Sequence, residues 1–380
     1  MKKGRLLLMV MVAFFLGSTL HAADPIRIGV LVGLSGPEGF IGEPSKAVAL
    51  MAASEINAAG GIAGRPLELV FADTQSNPGK AALEAKRLIE QEKVIAIAGP
   101  TGTGSAMAIL KIVQDSRTPT VGFVGGTPPV EPVRQFMFKS PQKTVTAVER
   151  TYMYFKDKGI RKIAIMTASD NFGQEGRSSL EKLAPGFGIQ IIEAQTFDVT
   201  DSDVSVQLTK IKKADPQAVV CWTIGGVGAI VTKNYRQLGL AMPLIQCHGQ
   251  ADPKYLELAG PAAEGTILPT IKLLVLNQIP KDDPQMAVLV TFKNDYENKK
   301  KIGKTGAHSG YAWDAMQLLA LGLKKSGGKG GIDLAKGIES VKGYVGVSGI
   351  YNMSADEHCG LGVDSMVMVQ VKDGKWTLIK

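Results

Sequence analysis

The glycine-rich segment 98–110, AGPTGTGSAMAIL, holds the clearest pattern for chemistry in this 380-residue sequence. It predicts a strand that ends at Ala98, a flexible loop through Gly102, and a helix that begins near Gly104. The first turn of a helix carries free backbone N–H groups and the positive end of the helix dipole, so it favours an anion. Thr103 places a hydroxyl beside that turn. The segment therefore indicates an anion site, unless Thr103 serves only as a helix cap.

The glycines of this segment imitate a nucleotide-binding loop without matching one. Their spacing is G-x-x-G-x-G, whereas the dinucleotide fingerprint is G-x-G-x-x-G. No acidic residue follows the next predicted strand until Glu131, so the partner for a ribose is missing. The lysine of a phosphate-binding loop is missing too. The sequence thus argues against a nucleotide cofactor, and we expect no other cofactor.

Other loops that follow predicted strands carry groups able to contact a small molecule. In VGFVGGTPPV, Gly125 and Gly126 would let a ligand approach the backbone, and Thr127 offers a hydroxyl and an N–H. A purely structural Gly-Pro turn is the alternative there. Phe172 would stack on a ligand or staple a helix to the core. Ile224 belongs to the segment IGGVG, whose backbone would reach the same region.

His248, in IQCHGQADP, brings an imidazole to this group of loops. An imidazole donates a hydrogen bond or carries a positive charge, so it suits an acceptor on a ligand. It does not neutralise an ammonium group as a carboxylate would. His308 and His358 are distant in sequence and lack the spacing of metal ligands, so we expect no metal site.

Apolar strand patterns and amphipathic helix patterns alternate along most of the chain. The first series has strands near Ile26, Leu67, Val94 and Pro119, and a second series begins at Lys162. Two such series predict an α/β protein with two doubly wound lobes. Right-handed crossovers place the loops of each lobe at the carboxyl ends of its strands, which predicts a ligand cleft between the lobes.

The last hundred residues do not continue this series. Helices are predicted at 284–300 and 310–324, and the glycine-rich run 327–331 predicts a turn. Two short apolar runs, 367–371 and 376–379, flank Asp-Gly and predict a β-hairpin.

The N-terminus has the composition of an export signal. Three basic residues lie within the first five positions, an apolar run covers 6–16, and Ala22 and Ala23 offer a cleavage site. The run is short for a membrane span, although an uncleaved anchor is the alternative. No cysteine stands near the cleavage site, which argues against a lipid anchor. We therefore expect removal of 1–23 and export to the periplasm of a two-membrane bacterium.

Charge and cysteine content bear on partners and compartment. The formal net charge is +8, with acids and bases well mixed and no basic blocks, so no nucleic-acid partner is expected. Cys221, Cys247 and Cys359 form an odd set, so at least one thiol is unpaired. A bond between Cys221 and Cys247 is conceivable, but both lie in apolar runs, which favours buried free thiols.

The stretch 26–78 also carries a family resemblance. Its segments IGVLVGLSGP and EINAAGGIAGRPLELVFADTQSNP, followed by AGPTGTGSA, SDNFGQE and DPKYLELAGPAAEGT, resemble the leucine/isoleucine/valine-binding type of periplasmic solute-binding protein. The resemblance covers most of the mature chain. It implies the type I periplasmic binding protein fold, with two Rossmann-like lobes joined by a three-segment hinge. Lobe I would comprise 24–141 and 273–350, and lobe II 142–272 and 351–380.

The resemblance implies a binding protein, not an enzyme, without cofactor or metal. Two lobes would close on one small molecule by hinge motion, and the closed form would deliver it to the permease and ATPase subunits of an ABC importer. Such a protein is expected to be a monomer. A ligand-sensing receptor with the same fold is an alternative. An exported hydrolase or dehydrogenase is another, although no nucleophile motif or cofactor loop stands out.

Relatives suggest roles for individual positions in the cleft. In those proteins the residue at Thr103 binds the ligand carboxylate, and an aromatic residue at Phe172 closes over the ligand. The loop 35–42 would arch over the site. The ligand-binding residues that we expect are Phe40, Ile41, Gly102, Thr103, Gly104, Gly125, Gly126, Thr127, Phe172, Ile224, His248 and His308.

His248 departs from the amino-acid-binding relatives, which usually carry an acid at this position. That acid neutralises the ligand ammonium, and an unpaired ammonium in a closed cleft would cost several kcal/mol. The expected ligand is therefore an aromatic or other organic carboxylate without an ammonium group, or an amino acid of the branched-chain type whose ammonium is met by another acid, such as Glu38 or Glu43, or by water.

Overall fold

Two β-sheets with helices packed against them organise the chain. The computed structural model describes residues 24–379, so the expected export signal at 1–23 lies outside the described residues. The first sheet contains β1 (Ile26–Val32), β2 (Leu67–Asp73), β3 (Ala96–Ala98), β4 (Thr120–Gly122) and β5 (Met137–Lys139). These strands are parallel and lie in the order β2-β1-β3-β4-β5.

Three helices connect the strands of this first sheet: α1 (Gly39–Ala58), α2 (Pro78–Glu90) and α3 (Thr103–Asp115). Parallel sheets are covered by helices on both faces, which explains why β1 is almost continuously apolar and buried. The crossovers bring the loops after β1, β3 and β4 to one edge of the sheet. Those loops and the first turns of α1 and α3 carry the expected ligand-binding residues between 40 and 127.

The middle of the chain repeats the pattern. Helix α4 (Thr144–Asp157) leads into β6 (Lys162–Ala168), α5 (Asn171–Leu183), β7 (Gln190–Phe197), α6 (Ser205–Ala214), β8 (Ala218–Trp222), α7 (Val227–Gln237), β9 (Leu244–Gln246), α8 (Pro253–Ala259) and β10 (Ile267–Thr270). The five strands are parallel in the order β10-β9-β8-β6-β7 and form most of the second sheet.

The C-terminal part divides between the two sheets. It contains α9 (Met286–Asn294), α10 (Ala307–Lys325), α11 (Gly331–Glu339), the hairpin β11 (Tyr344–Val345) and β12 (Ile350–Tyr351), and the hairpin β13 (Val367–Lys372) and β14 (Lys375–Leu378). Helix α10 packs on α1 and against β3 and β4. Strand β13 pairs antiparallel with β10 and so extends the second sheet. The prediction of two doubly wound lobes is confirmed.

Helix α1 begins earlier than the sequence predicted. The prediction was an arching loop over 35–42, whereas the helix starts at Gly39 and contains Pro44. Proline lacks a backbone N–H, so the carbonyl of Phe40 loses its usual helical donor, but the chain stays helical around it. Phe40 and Ile41 therefore lie on the first turn of a helix instead of on an open loop.

The chain also leaves the first sheet later than predicted. The sequence suggested a transfer to lobe II at 351, yet the Tyr351 hydroxyl donates to the Ser140 carbonyl at 2.6 Å. The Lys139 N–H donates to the His358 carbonyl at 3.0 Å. These bonds hold the segment against β5, at the edge of the first sheet. We therefore place the third crossing near Gly362.

Two further features of the described residues bear on the class of protein. Cys221, Cys247 and Cys359 are free and buried, and burial raises the pKa of Cys247 to about 12. Within 24–379, no helix combines the length and the apolar character that a membrane crossing requires.

Candidate functional site

A small cavity lies where the loops of the two sheets meet. The space inside it that water-sized molecules can fill is only about 20 Å³, room for about one water molecule, so the lobes close tightly around it. Both lobes contribute, because its wall joins the loops after β3 and β4 to those after β6, β8 and β9. The residues that line it are Ile41, Thr101, Thr103, Phe123, Gly125, Pro141, Phe172, Ile224, His248, Gly249, His308 and Tyr311.

The N-terminus of α3 forms one side of this cavity. Gly102 precedes the helix in an extended conformation, and Thr103 is its first residue. Thr103 is buried and lines the cavity. A Cβ on Gly104 would come within 2.9 Å of the side-chain oxygen of Asn171, the first residue of α5. Gly104 therefore permits the two helix N-termini to approach each other across the cleft.

Glu38 lies directly behind this wall. The Thr101 hydroxyl donates to its carboxyl at 2.7 Å and accepts from the Gly33 N–H at 3.0 Å. A Cβ on Gly102 would collide with the Glu38 carboxyl, so Gly102 is needed for that packing. Burial raises the pKa of Glu38 to about 7. Glu38 is not among the lining residues, and the exposed Glu43 faces an outer groove instead.

Replacing Glu38 with glutamine is expected to remove a pH-dependent cost of folding. Because the pKa rises from 4.5 to about 7 in the folded chain, stability is fully present below pH 4.5 and is lost as pH rises through 7. The amide still accepts from Thr101. Glu38→Gln should therefore raise the free energy of unfolding by about 1–3 kcal/mol at about pH 8 and change it little at about pH 4.

Urea unfolding at both pH values checks this expectation. Glu43→Gln, a change to an exposed carboxyl nearby, is the matched control and should leave stability unchanged at either pH. An equal effect of Glu38→Gln at both pH values would show that the carboxyl is ionised throughout and would contradict the assignment.

Lys139 fixes the loop that follows β4. Its ammonium donates to the carbonyls of Gly125 at 2.7 Å, Gly126 at 2.8 Å and Gln142 at 3.1 Å. The side chain is fully buried, and burial lowers the pKa of Lys139 to about 8. The Gly125 carbonyl and the Gly126 N–H belong to one trans peptide and point in opposite directions. The Gly126 N–H is therefore turned away from Lys139. The ammonium thus lies immediately behind the cavity wall.

The two glycines of this loop allow it to pass between side chains of both lobes. A Cβ on Gly125 would lie 2.6 Å from Nε2 of His248, and one on Gly126 would lie 2.6 Å from the Thr103 hydroxyl. Any larger residue would push these polar groups aside. The pair therefore sets the distance between the N-terminus of α3 and His248.

Thr127 faces away from the cavity and joins the two lobes. Its N–H donates to Oε1 of Glu175 on α5 at 3.3 Å, and its hydroxyl accepts from the Val145 N–H at 3.4 Å. Thr127 is absent from the cavity lining. Its contact with Glu175, like that of Gly104 with Asn171, belongs to a closed arrangement of the lobes.

His248 is a polar side chain of the cavity that is buried without hydrogen bonds to the described residues. It is 1% exposed, and among residues 24–379 neither ring nitrogen has a hydrogen-bonding partner. Phe172 and Trp222 meet its ring edge-on, with centroids 5.7 and 5.6 Å away. Burial, with a smaller effect from the Lys139 charge, lowers the pKa of His248 to about 3. The imidazole is therefore neutral, with one donor and one acceptor nitrogen.

His308 closes the cavity on the side of α1. Its Nε2 lies 3.1 Å from the Gly249 carbonyl, and burial lowers the pKa of His308 to about 4. Phe40 packs edge-on against its ring with centroids 5.5 Å apart. Phe40 lines the outer groove and not the cavity, so it contacts the site only through His308, whereas Ile41 lines the cavity directly.

The sequence did not identify several residues that build this site. Thr101, Phe123, Pro141, Gly249 and Tyr311 line the cavity, and Lys139 and Glu175 support it from behind. Tyr311 follows His308 by one helical turn, so helix periodicity was the available signal. The sequence around Lys139 gave none, because its role depends on carbonyls of a loop fourteen residues earlier.

The electrostatic character of the cavity follows from its lining. None of the lining residues in the described chain is an acid, a lysine or an arginine. Its polar side chains carry hydroxyls and neutral imidazoles, and the buried cation Lys139 lies behind its wall. Such a site suits an anion or an uncharged polar group, whereas an ammonium group would find no countercharge on the wall.

Comparison with known proteins gives consistent matches over nearly the whole chain. The family profile for periplasmic binding proteins matches residues 25–375. The chain is 24% identical over 340 residues to the leucine-, isoleucine-, valine-, threonine-, and alanine-binding protein of Pseudomonas aeruginosa, covering 86% of each.

Solved structures match the fold. An extracellular ligand-binding receptor from Rhodopseudomonas palustris HaA2 superposes with a TM-score of 0.87 at 24% identity, over 93% of this chain and 99% of that one. An ABC-transporter solute-binding protein from R. palustris in complex with benzoate gives 0.80 at 21% identity, over 93% and 95%.

Proposed function

The chain belongs to the periplasmic binding protein family, and on that basis we propose that it captures a small carboxylate-bearing solute between its lobes and delivers it to an ABC importer. Contacts across the cleft support capture by closure: Gly104 meets Asn171, and Thr127 donates to Glu175. A ligand that bridges both walls adds to these contacts and shifts the equilibrium towards the closed form.

We infer further that the ligand lacks an ammonium group. The observation that carries this inference is His248, a buried neutral imidazole whose two nitrogens find no partner among residues 24–379, on a wall where those residues place no carboxylate. The ligand carboxylate would accept from the N-terminus of α3 and the Thr103 hydroxyl, with Lys139 adding positive potential from behind. An ammonium group in this cavity would be left unpaired, at a cost of several kcal/mol.

An amino acid is the second candidate ligand. The Pseudomonas relative is named for five amino acids, leucine among them. Glu38 lies behind the wall, where its carboxyl accepts a hydrogen bond from the Thr101 hydroxyl, and Thr101 stands between it and the cavity. Amino-acid binding would need Glu38 to reach past Thr101, which makes it the less favourable arrangement.

A thermal-shift panel tests the function and the ligand class together. We expect organic carboxylates such as isocaproate, phenylpropanoate and benzoate to raise Tm, since a ligand at 100 Kd stabilises by about 2.7 kcal/mol. Thr103→Ala should reduce that shift by weakening the carboxylate contact. Absence of a shift with every carboxylate and every amino acid would reject the proposed function.

A further inference from the structure

A second polar group of the cavity has no role in the capture of a carboxylate. Tyr311, on α10, is 2% exposed and lines the cavity. Its hydroxyl has no hydrogen-bonding partner in the part of the chain that the structure describes. A buried polar group without a partner destabilises the folded chain, and native proteins rarely retain one without reason.

The neighbours of Tyr311 are already engaged elsewhere. Asp314, one turn further along α10, accepts from the N–H groups of Val347 and Ser348 at 2.9 and 2.7 Å and from the Tyr351 hydroxyl. The Cys247 thiol contacts the Thr223 carbonyl at 3.0 Å. The ring of His308 meets the Tyr311 ring edge-on, and its Nε2 lies 3.1 Å from the Gly249 carbonyl.

The Tyr311 hydroxyl is therefore free for a bound molecule, and so is His248. Burial raises the pKa of Tyr311 above its usual range, so the hydroxyl stays protonated and able to donate. The neutral imidazole of His248 adds one donor and one acceptor. Three polar atoms in one small, mostly apolar cavity lack a hydrogen-bonding partner among the described residues: the Tyr311 hydroxyl and both nitrogens of His248.

We propose that Tyr311 and His248 form a second recognition point, which selects solutes carrying an uncharged hydroxyl group in addition to the carboxylate. This inference rests on the proposed function. A hydroxyl group is both donor and acceptor, so it matches an imidazole nitrogen and a phenol at once. A second carboxylate offers only acceptors and would need a cation that the lining lacks, and an ammonium offers only donors.

Calorimetry with matched acid pairs tests the proposal. The probes are isocaproate against hydroxyisocaproate, and phenylpropanoate against its three ring-hydroxylated isomers. We expect at least one hydroxylated acid to bind wild-type protein about tenfold or more tighter than its parent acid. Tyr311→Phe should reduce that preference to about twofold or less and keep the affinity for the parent acid within about threefold.

Two controls separate recognition from structure. Tyr154→Phe, in a half-buried tyrosine on the outer helix α4, should leave the preference unchanged. Without ligand, Tyr311→Phe should not lower Tm, because the hydroxyl that it removes has no partner to lose. A lowered Tm would assign the hydroxyl a structural role and overturn the proposal.

The outcomes distinguish this inference from the function on which it rests. Equal affinity of wild-type protein for parent and hydroxylated acids overturns the second recognition point and leaves carboxylate capture standing. A preference that survives in Tyr311→Phe overturns it as well. Failure of wild-type protein to bind any of these acids rejects the ligand class itself.

Discussion

Lys139→Met is expected to weaken carboxylate binding by about tenfold to a hundredfold, about 1.4–2.8 kcal/mol. The ammonium holds the carbonyls of Gly125 and Gly126 and is a buried cation directly behind the cavity wall. Methionine fills a similar volume but supplies neither the donors nor the charge. Isothermal titration with phenylpropanoate measures the loss.

The pH dependence of binding separates the charge of Lys139 from its packing. Burial lowers the pKa of Lys139 to about 8, so the ammonium is present at neutral pH and is lost as pH rises through that value. Wild-type affinity for a carboxylate should fall between about pH 7 and about pH 10, whereas Lys139→Met should show no such fall. Lys143→Met, at a lysine that pairs with Glu131 and Glu357 instead, is the matched control. A flat wild-type profile would contradict a role for the charge.

His248→Glu is expected to invert the ligand preference. A carboxylate at this position supplies the countercharge for an α-ammonium group and repels a simple carboxylate, so leucine should gain affinity and isocaproate should lose it. The combined change should exceed about a hundredfold, since each tenfold step needs only about 1.4 kcal/mol. Titration of both ligands against wild-type and variant proteins gives the change directly.

His248→Gln is the control for this inversion. Glutamine is neutral and offers both a donor and an acceptor, so the preference for isocaproate should persist, at reduced affinity. Gain of leucine binding in His248→Gln would show that the imidazole only fills space. Loss of all binding in His248→Glu, with the fold intact, would argue against a direct contact between this side chain and the ligand.

Sequence patterns could locate the part of the candidate site that follows predicted strands. Thr103, Gly125, Ile224 and His248 each follow a strand, and parallel strands gather their carboxyl-end loops at one edge. The glycines of two of these loops also indicated close approach, which the contacts of Gly125 with His248 explain. Local sequence patterns and sheet topology were sufficient for these residues, because the strand that precedes each of them is recognisable in the sequence.

Long-range packing determined the rest of the site. Tyr311 reaches the cavity because α10 returns to the first sheet, almost two hundred residues after α3. Thr127 looked like a ligand contact, but α5 of the other lobe supplies Glu175 to its N–H. The third crossing of the chain between the lobes comes later than predicted because of hydrogen bonds between His358 and β5. No local sequence pattern near Gly362 indicates these bonds.

The most direct test of the account is titration of wild-type protein with isocaproate and with leucine, which differ only by the α-ammonium group. Phenylpropanoate and phenylalanine form a second such pair, and all four are measured at neutral pH. The described part of the chain places no carboxylate on the cavity wall, which predicts that an acid binds at least about tenfold tighter than its amino-acid counterpart. Tighter binding of leucine or phenylalanine than of the matching acid would contradict the account.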